Sequence, residues 1–360
     1  MPKITSVGVC VPPHSLTQGT TVEFARELFQ ESFKDISRLL TVFENGQIEK
    51  RNFAKDLEWF KKDHTFEERN NAYIEHAVDY SIEAIENCLT NKSFLHEDVD
   101  YREIDAIFFI STTGLSTPSI DAKIMNHLPF SPHTKRIPIW GLGCAGGASG
   151  LSRAYDYCLA YPEAKVLVVA VELCGLTFQR NDRSKSNLIG TSLFADGVAA
   201  VLLSGNQAEA KTKTTIPYIL DTQSTLMPDS EDVMGWDVKN EGLYVIFSKD
   251  IPTIVTEWLK PNVEELLQKH GLKLSDINHF IAHPGGKKVI QAYEDALGFN
   301  KEHTRLSQKV LQQHGNMSSA TVYYVLNEFM QQDLSAGDYG LIAALGPGFS
   351  SELLLVKWGI

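Results

Sequence analysis

Short continuous apolar runs and stretches of helical period alternate along the whole chain. Apolar runs at Ile4 to Val11, Asp105 to Ile110, Ile137 to Trp140, Lys165 to Val171 and Val198 to Leu203 predict buried strands. Phe24, Leu28, Phe33, Ile36 and Leu40 predict a helix over 22–40, and Ile74, Val78, Ile82, Ile85 and Leu89 predict a second. Further on, Ile216 to Leu220, Phe280 to Ala282, Leu341 to Leu345 and Leu353 to Trp358 predict strands. Helical segments are expected around Pro261, over Lys288 to Leu297 and over Thr321 to Gln331, and 235–242 reads as a loop. The polar stretch 205–215 is the candidate boundary between an N-terminal half, 1–207, and a C-terminal half, 208–360.

The two halves repeat one pattern. The strand ending at Ile110 answers the strand ending at Ala282, and Gly143-Cys-Ala-Gly-Gly-Ala148 answers Gly315-Asn-Met-Ser-Ser-Ala320, both at a separation of 172 residues. Val166 to Val171 answers Gly340 to Leu345, and Val198 to Leu203 answers Leu353 to Trp358. This predicts a duplicated α/β fold about a pseudo-twofold axis, with Cys144 and Asn316 at equivalent helix N-termini. Both helices would point their positive ends at one cavity.

A net charge of −12 argues against a nucleic-acid partner, though not against a local basic patch for a phosphorylated cofactor. Five cysteines without a Cys-x-x-Cys pair suggest neither a disulfide framework nor a zinc site, and point to a reducing cytoplasm. No apolar run is long enough to span a bilayer, and the N-terminus lacks a signal-peptide pattern.

Cys144 lies among glycines at a strand-to-helix turn. That placement favours a thiolate, and small neighbours would leave a substrate room to reach the sulfur. The bland alternative is a small buried cysteine at a tight turn. His283, in His283-Pro-Gly-Gly286 at a strand's C-terminal end, is by itself equally well a core histidine, and Asn316 by itself is most simply a helix cap. Together they make a Cys-His-Asn set. The histidine could lower the cysteine's pKa, and His283 and Asn316 could donate to one oxygen of an enolate or tetrahedral carbon. Gly141-x-Gly-x-x-Gly146 matches a dinucleotide fingerprint only weakly, because no acidic residue ends an adjacent strand at the expected distance.

Gly143-Cys-Ala-Gly-Gly, Phe194-Ala-Asp-Gly, Ile281-Ala-His-Pro-Gly-Gly, His314-Gly-Asn-Met-Ser-Ser-Ala and Leu345-Gly-Pro-Gly-Phe, in order over nearly the whole chain, resemble the chalcone and stilbene synthase superfamily, the type III polyketide synthases. In detail the chain is similar to Bacillus-type members that make long-chain alkylpyrones. The resemblance implies an α/β thiolase fold of duplicated halves in five αβαβα layers. It implies a homodimer that condenses acyl-CoA starters with malonyl-CoA and uses no metal or redox cofactor.

Residue by residue, Cys144 resembles the nucleophile, and His283 and Asn316 resemble the pair that binds the malonyl thioester carbonyl. Phe194 resembles the gatekeeper that orients malonyl and disfavours its carboxylate. Cys174, Thr177 and Ser318 resemble cavity-lining positions, and Thr117 resembles the residue that reaches into the partner's cavity. Gly346, Pro347 and Gly348 resemble the loop that shapes the cavity floor. Lys50, Arg51 and Lys55 fall where the family places CoA phosphate contacts. Val245 replaces a second gatekeeper Phe and Trp236 a small residue of plant members, changes that suit a long aliphatic starter better than an aromatic one. The competing expectation is a single-round ketoacyl synthase of fatty-acid initiation fed by an acyl carrier protein. From another class, a non-catalytic acyl-CoA-binding protein is the further alternative.

Overall fold

The apolar runs pair into a mixed sheet whose two parts repeat each other. The computed structural model describes residues 1–359 apart from 32, 34, 213, 214 and 249. Its strands are β1 (Lys3–Cys10), β2 (His14–Thr17), β3 (Lys50–Phe53), β4 (Ile104–Ile110), β5 (Lys135–Ile139), β6 (Lys165–Leu173), β7 (Asp196–Ser204), β8 (Ile216–Leu226), β9 (Met234–Lys239), β10 (Gly242–Phe247), β11 (Ile277–Ala282), β12 (Tyr339–Gly346) and β13 (Ser350–Gly359). Its helices are α1 (Gln18–Phe29), α2 (Ile36–Gly46), α3 (Leu57–Phe60), α4 (Phe66–Leu89), α5 (Ile120–His127), α6 (Gly146–Ala160), α7 (Lys185–Leu193), α8 (Ile251–Gln268), α9 (Lys287–Leu297), α10 (Lys301–His314) and α11 (Thr321–Met330).

The strand order is β11-β12-β13-β8-β1-β7-β6-β4-β5. β4 runs parallel to β6, which is antiparallel to β7, which is antiparallel to β1; β11, β12, β13 and β8 repeat those directions. A single pair, Lys3 with Tyr218, joins the repeats. The expected duplication is therefore present strand by strand. Three hydrophobic clusters fill the spaces between five layers. One packs α4 on the outside of the first repeat, one packs α8 and α9 outside the second, and the largest encloses α6 and α11 between the two.

The central helices nearly touch. A Cβ on Gly147 would stand 2.2 Å from the Ser319 carbonyl oxygen, and one on Gly150 would stand 2.4 Å from Ile110. The glycines after Cys144 thus serve helix packing, and the room expected there for substrate is occupied by Ser319, Val322 and Ile110.

Three local expectations change. The helix over 22–40, whose residues 32 and 34 lie outside the described residues, is two helices. Asp35 starts the second by accepting a hydrogen bond from the Arg38 N–H at 3.0 Å. The run at Ile137 is an edge strand, bonded to β4 alone and partly exposed, with Trp140 half-exposed beyond it. The loop over 235–242 is most of a β9–β10 hairpin closed by Asn240 and Glu241, in which Trp236 pairs with Val245. Residues 213 and 214 of the expected boundary lie outside the described residues. Among those residues, no helix is long and apolar enough to cross a membrane.

Candidate active site

Cys144 occupies a single 3-10 turn, Gly143–Ala145, that leads into α6. Pro347 closes this turn from below, since a Cβ on Gly143 would lie 2.6 Å from its Cδ. Gly346 packs as tightly, 2.5 Å from the Leu142 carbonyl by the same construction. Gly346 and Pro347 thus support the nucleophile's turn directly, while Gly348, at φ 66°, turns the chain beside Leu226.

His283 follows β11. Its N–H donates to Ala343 at 2.8 Å and its carbonyl accepts from the Tyr293 hydroxyl at 3.2 Å, which fixes the backbone. Both ring nitrogens are buried and have no protein partner. Asn316 is held on every side. Its Oδ1 accepts from the Ser318 N–H at 2.8 Å and its Nδ2 donates to Gly285 at 2.8 Å. Its backbone exchanges hydrogen bonds of 2.9 Å with Leu193 and Ala195, a bridge that places Phe194 beside it. The Cys144 Sγ lies 4.0 Å from the Asn316 Oδ1, at the outer limit of a contact to sulfur.

Cys144, His283 and Asn316 line one cavity of about 630 Å³, whose mouth carries Arg38, Lys185, Lys287 and Lys288. A second, apolar pocket of about 70 Å³ is lined by Cys174, Thr177, Phe194, Trp236 and Val245 together with Phe24, Phe53, Phe60 and Phe178. Phe194 stands at the partition. Its ring centroid is 5.6 Å from that of Phe247, which lines the main cavity, and 6.3 Å from that of Trp236. The Trp236 indole donates to the Thr112 carbonyl at 2.9 Å, so this part of the wall is fixed. Ser318 is buried beside the nucleophile and holds a left-handed backbone, φ 47°. Thr117 is exposed on a surface loop and lines neither cavity within one chain.

The three basic positions correct an expectation. Arg51 is only 1 % exposed and binds main-chain carbonyls of the protein itself, so it presents no charge to a phosphate. Lys50 is exposed and the Lys55 ammonium lies 5.1 Å from the Trp59 ring centre; neither lines a cavity. The cations at the mouth come from α2, α7 and α9. Their sequence signal was Lys287-Lys288, directly after His283-Pro-Gly-Gly286.

Burial also reverses the expected ionisation. It pushes the Cys144 thiol up to about 12, with the nearby Glu172 acting in the same direction and Ser318 and Asn316 against it. It pulls His283 down to about 3. Both shifts have one cause: burial costs a lone charge its hydration.

Glu172, on β6 behind the nucleophile, is fully buried, and burial raises its carboxyl to about 7. It accepts from the Thr112 N–H at 3.1 Å and from the hydroxyls of Thr112 and Ser319 at 2.9 and 2.5 Å. A carboxyl raised by folding stabilises the protein below the unfolded value near 4.5 and loses that contribution as pH rises through about 7. Glu172→Gln should therefore gain stability relative to the parent as pH rises from about 5 to 8, by up to about 3 kcal/mol. Thermal melts across that range check the sign. A difference independent of pH would mean that Glu172 is already ionised in the folded protein.

Residues 2–207 match the family model for the N-terminal domain of chalcone and stilbene synthases, and residues 219–358 match the model for the C-terminal domain. A Bacillus subtilis (strain 168) protein named "Putative chalcone synthase" is 56 % identical over 99 % of this chain and 98 % of its own length. The "Alpha-pyrone synthesis polyketide synthase-like Pks18" of Mycobacterium tuberculosis is 29 % identical over 96 % of this chain and 88 % of its own. The crystal structure of 1,3,6,8-tetrahydroxynaphthalene synthase from Streptomyces coelicolor, a bacterial type III polyketide synthase, superposes with a TM-score of 0.92 at 31 % identity, covering 99 % of each chain.

Proposed function

We propose that this chain, which belongs to the chalcone and stilbene synthase family and is thus a type III polyketide synthase, extends long-chain fatty acyl-CoA starters with malonyl-CoA and releases alkylpyrones. The observation that carries this reading is a buried cysteine, histidine and asparagine around one cavity, with cations at its mouth and an apolar, phenylalanine-lined pocket across Phe194.

The cations Arg38, Lys185, Lys287 and Lys288 attract the phosphates of CoA, an uncommon local balance in a chain of net charge −12. Cys144 gives its proton to His283 and attacks the acyl thioester, and CoA thiolate leaves. Malonyl-CoA then loses carbon dioxide. The enolate oxygen left behind accepts hydrogen bonds from His283 and from the Asn316 amide, whose other N–H is held by Gly285. Enolate carbon attacks the acyl carbon and expels the Cys144 thiolate, which is reloaded for another round. Once the acyl chains fill the cavity, exclusion of water keeps it from taking the acyl group first. Every step of this scheme uses the chain's own side chains and two CoA thioesters and calls on no metal or redox cofactor.

The apolar pocket bordered by Phe194 and Trp236, about 70 Å³, takes only the first few methylenes of the aliphatic chain, and Val245 leaves space there that a Phe would fill. For the homodimer, the support is the unpaired edge of β5, flanked by exposed Trp140 and Leu115 on the side of the Thr117 loop. Five free, buried cysteines suit a reducing cytoplasm.

Purified protein given isotopically labelled malonyl-CoA and straight-chain acyl-CoAs of increasing length should yield alkylpyrones, richest with the long chains. Mass spectrometry reads starter and number of extensions together. Product from malonyl-CoA alone, or only from acyl groups on a carrier protein, would overturn the reading.

A further inference from the structure

Arg51 is a buried guanidinium without an acid. It lies on β3, is 1 % exposed, borders the apolar pocket lined by Phe194 and Val245, and among the described residues has no carboxylate partner. Its Nη1 donates to the Thr191 carbonyl at 2.6 Å and to the Phe194 carbonyl at 2.9 Å, and its Nη2 reaches the Gln18 side chain at 3.4 Å. Thr191 and Phe194 belong to the C-terminal end of α7, where helix carbonyls lack partners within the helix and a cation is favoured. The next link is covalent and short. Phe194 lies between Leu193 and Ala195, whose backbone groups exchange 2.9 Å hydrogen bonds with Asn316. A Cβ on Gly315 would stand 2.7 Å from the arginine stem, so the same side chain also backs the asparagine's own segment.

We propose that Arg51 is a positioning residue of the condensing reaction: it clamps the end of α7 and thereby sets the Phe194 ring and the Asn316 carboxamide relative to Cys144. This rests on the functional reading above. The planar guanidinium meets the two carbonyls through Nη1 and Gln18 through Nη2, a set of three acceptors that a single, shorter-reaching ammonium on a flexible stem does not hold in one geometry.

The test separates positioning from phosphate contact. In Arg51→Lys, kcat should fall about tenfold to a hundredfold while KM for acyl-CoA stays within about twofold. The same loss should appear with the acyl N-acetylcysteamine thioester, which carries no phosphate. A loss confined to CoA thioesters, or seated in KM, would overturn the proposal, as would full activity with both substrates. Should the variant not fold, the parent protein decides. Phenylglyoxal should leave Arg51 unmodified with or without CoA, as read by peptide mass spectrometry, and modification that CoA prevents would overturn the proposal. A parent that makes no product from any thioester would end the functional reading instead, and the phenylglyoxal result would still judge Arg51.

Discussion

Cys144→Ala is expected to abolish pyrone formation, with a loss of at least about a thousandfold, because no other group can hold the growing chain as a thioester. Among the other cysteines, Cys174 is the one beside the site, and burial with the charges of Glu172 and Asp196 raises its thiol well above the ordinary range. It lines the apolar pocket, away from the cavity that holds His283 and Asn316. The variant should fold, since removing one sulfur from a turn braced by Pro347 and Gly346 leaves the backbone contacts in place. Intact-protein mass spectrometry with acyl-CoA should show an acyl adduct on the parent and none on the variant. Decarboxylation of malonyl-CoA offers a second readout. His283 and Asn316 remain, so release of labelled carbon dioxide should survive in part while condensation does not. An acyl adduct on the variant, or full pyrone output, would remove Cys144 from the chemistry. Acyl-CoA binding without turnover by the parent would favour the non-catalytic alternative.

How much of this was legible in the sequence depended on how local the cause was. β4, β6 and β7 are buried on both faces, so their apolar runs were unambiguous. The equal spacing of Cys144 to Asn316 and Ile110 to Ala282 carried the duplication. The convergence of Cys144, His283 and Asn316 followed, since each sits at the end of an element that the pattern located. The β9–β10 hairpin was missed because its outer face is exposed and Gly235 and Gly242 imitate a loop. The glycines after Cys144 were read as space for substrate, when what fills that space is Ser319 and Val322, which are far away in the sequence. Arg51 stands in a basic run and looks like a surface cation. Only the folded neighbourhood of Thr191 and Phe194 shows that its partners are carbonyls. The cost of charging the nucleophile was equally out of reach, because a helix N-terminus and a histidine can be read from a sequence but the depth of their burial cannot.

That burial makes His283→Gln the more searching experiment. In isolation burial holds the thiol near 12 and the imidazole near 3, so neither ionises alone at neutral pH. Transfer of the proton from Sγ to the ring creates both charges together, and their mutual attraction offsets part of the lost hydration. Glutamine keeps an amide that can donate to an enolate oxygen but cannot take the proton. The sign follows. Without the base only burial and its neighbours act on the sulfur, so the midpoint of Cys144 alkylation by iodoacetamide must move up in pH toward the value burial imposes. Below about pH 9 the variant should label at least about tenfold more slowly than the parent, and condensation should fall by about a hundredfold or more. Both His283 nitrogens are free of protein partners, so the substitution breaks no hydrogen bond of the fold and a loss of stability should not confuse the result. Equal labelling rates in parent and variant would show that the imidazole takes no part in forming the thiolate. The proton would then have to leave by way of the substrate.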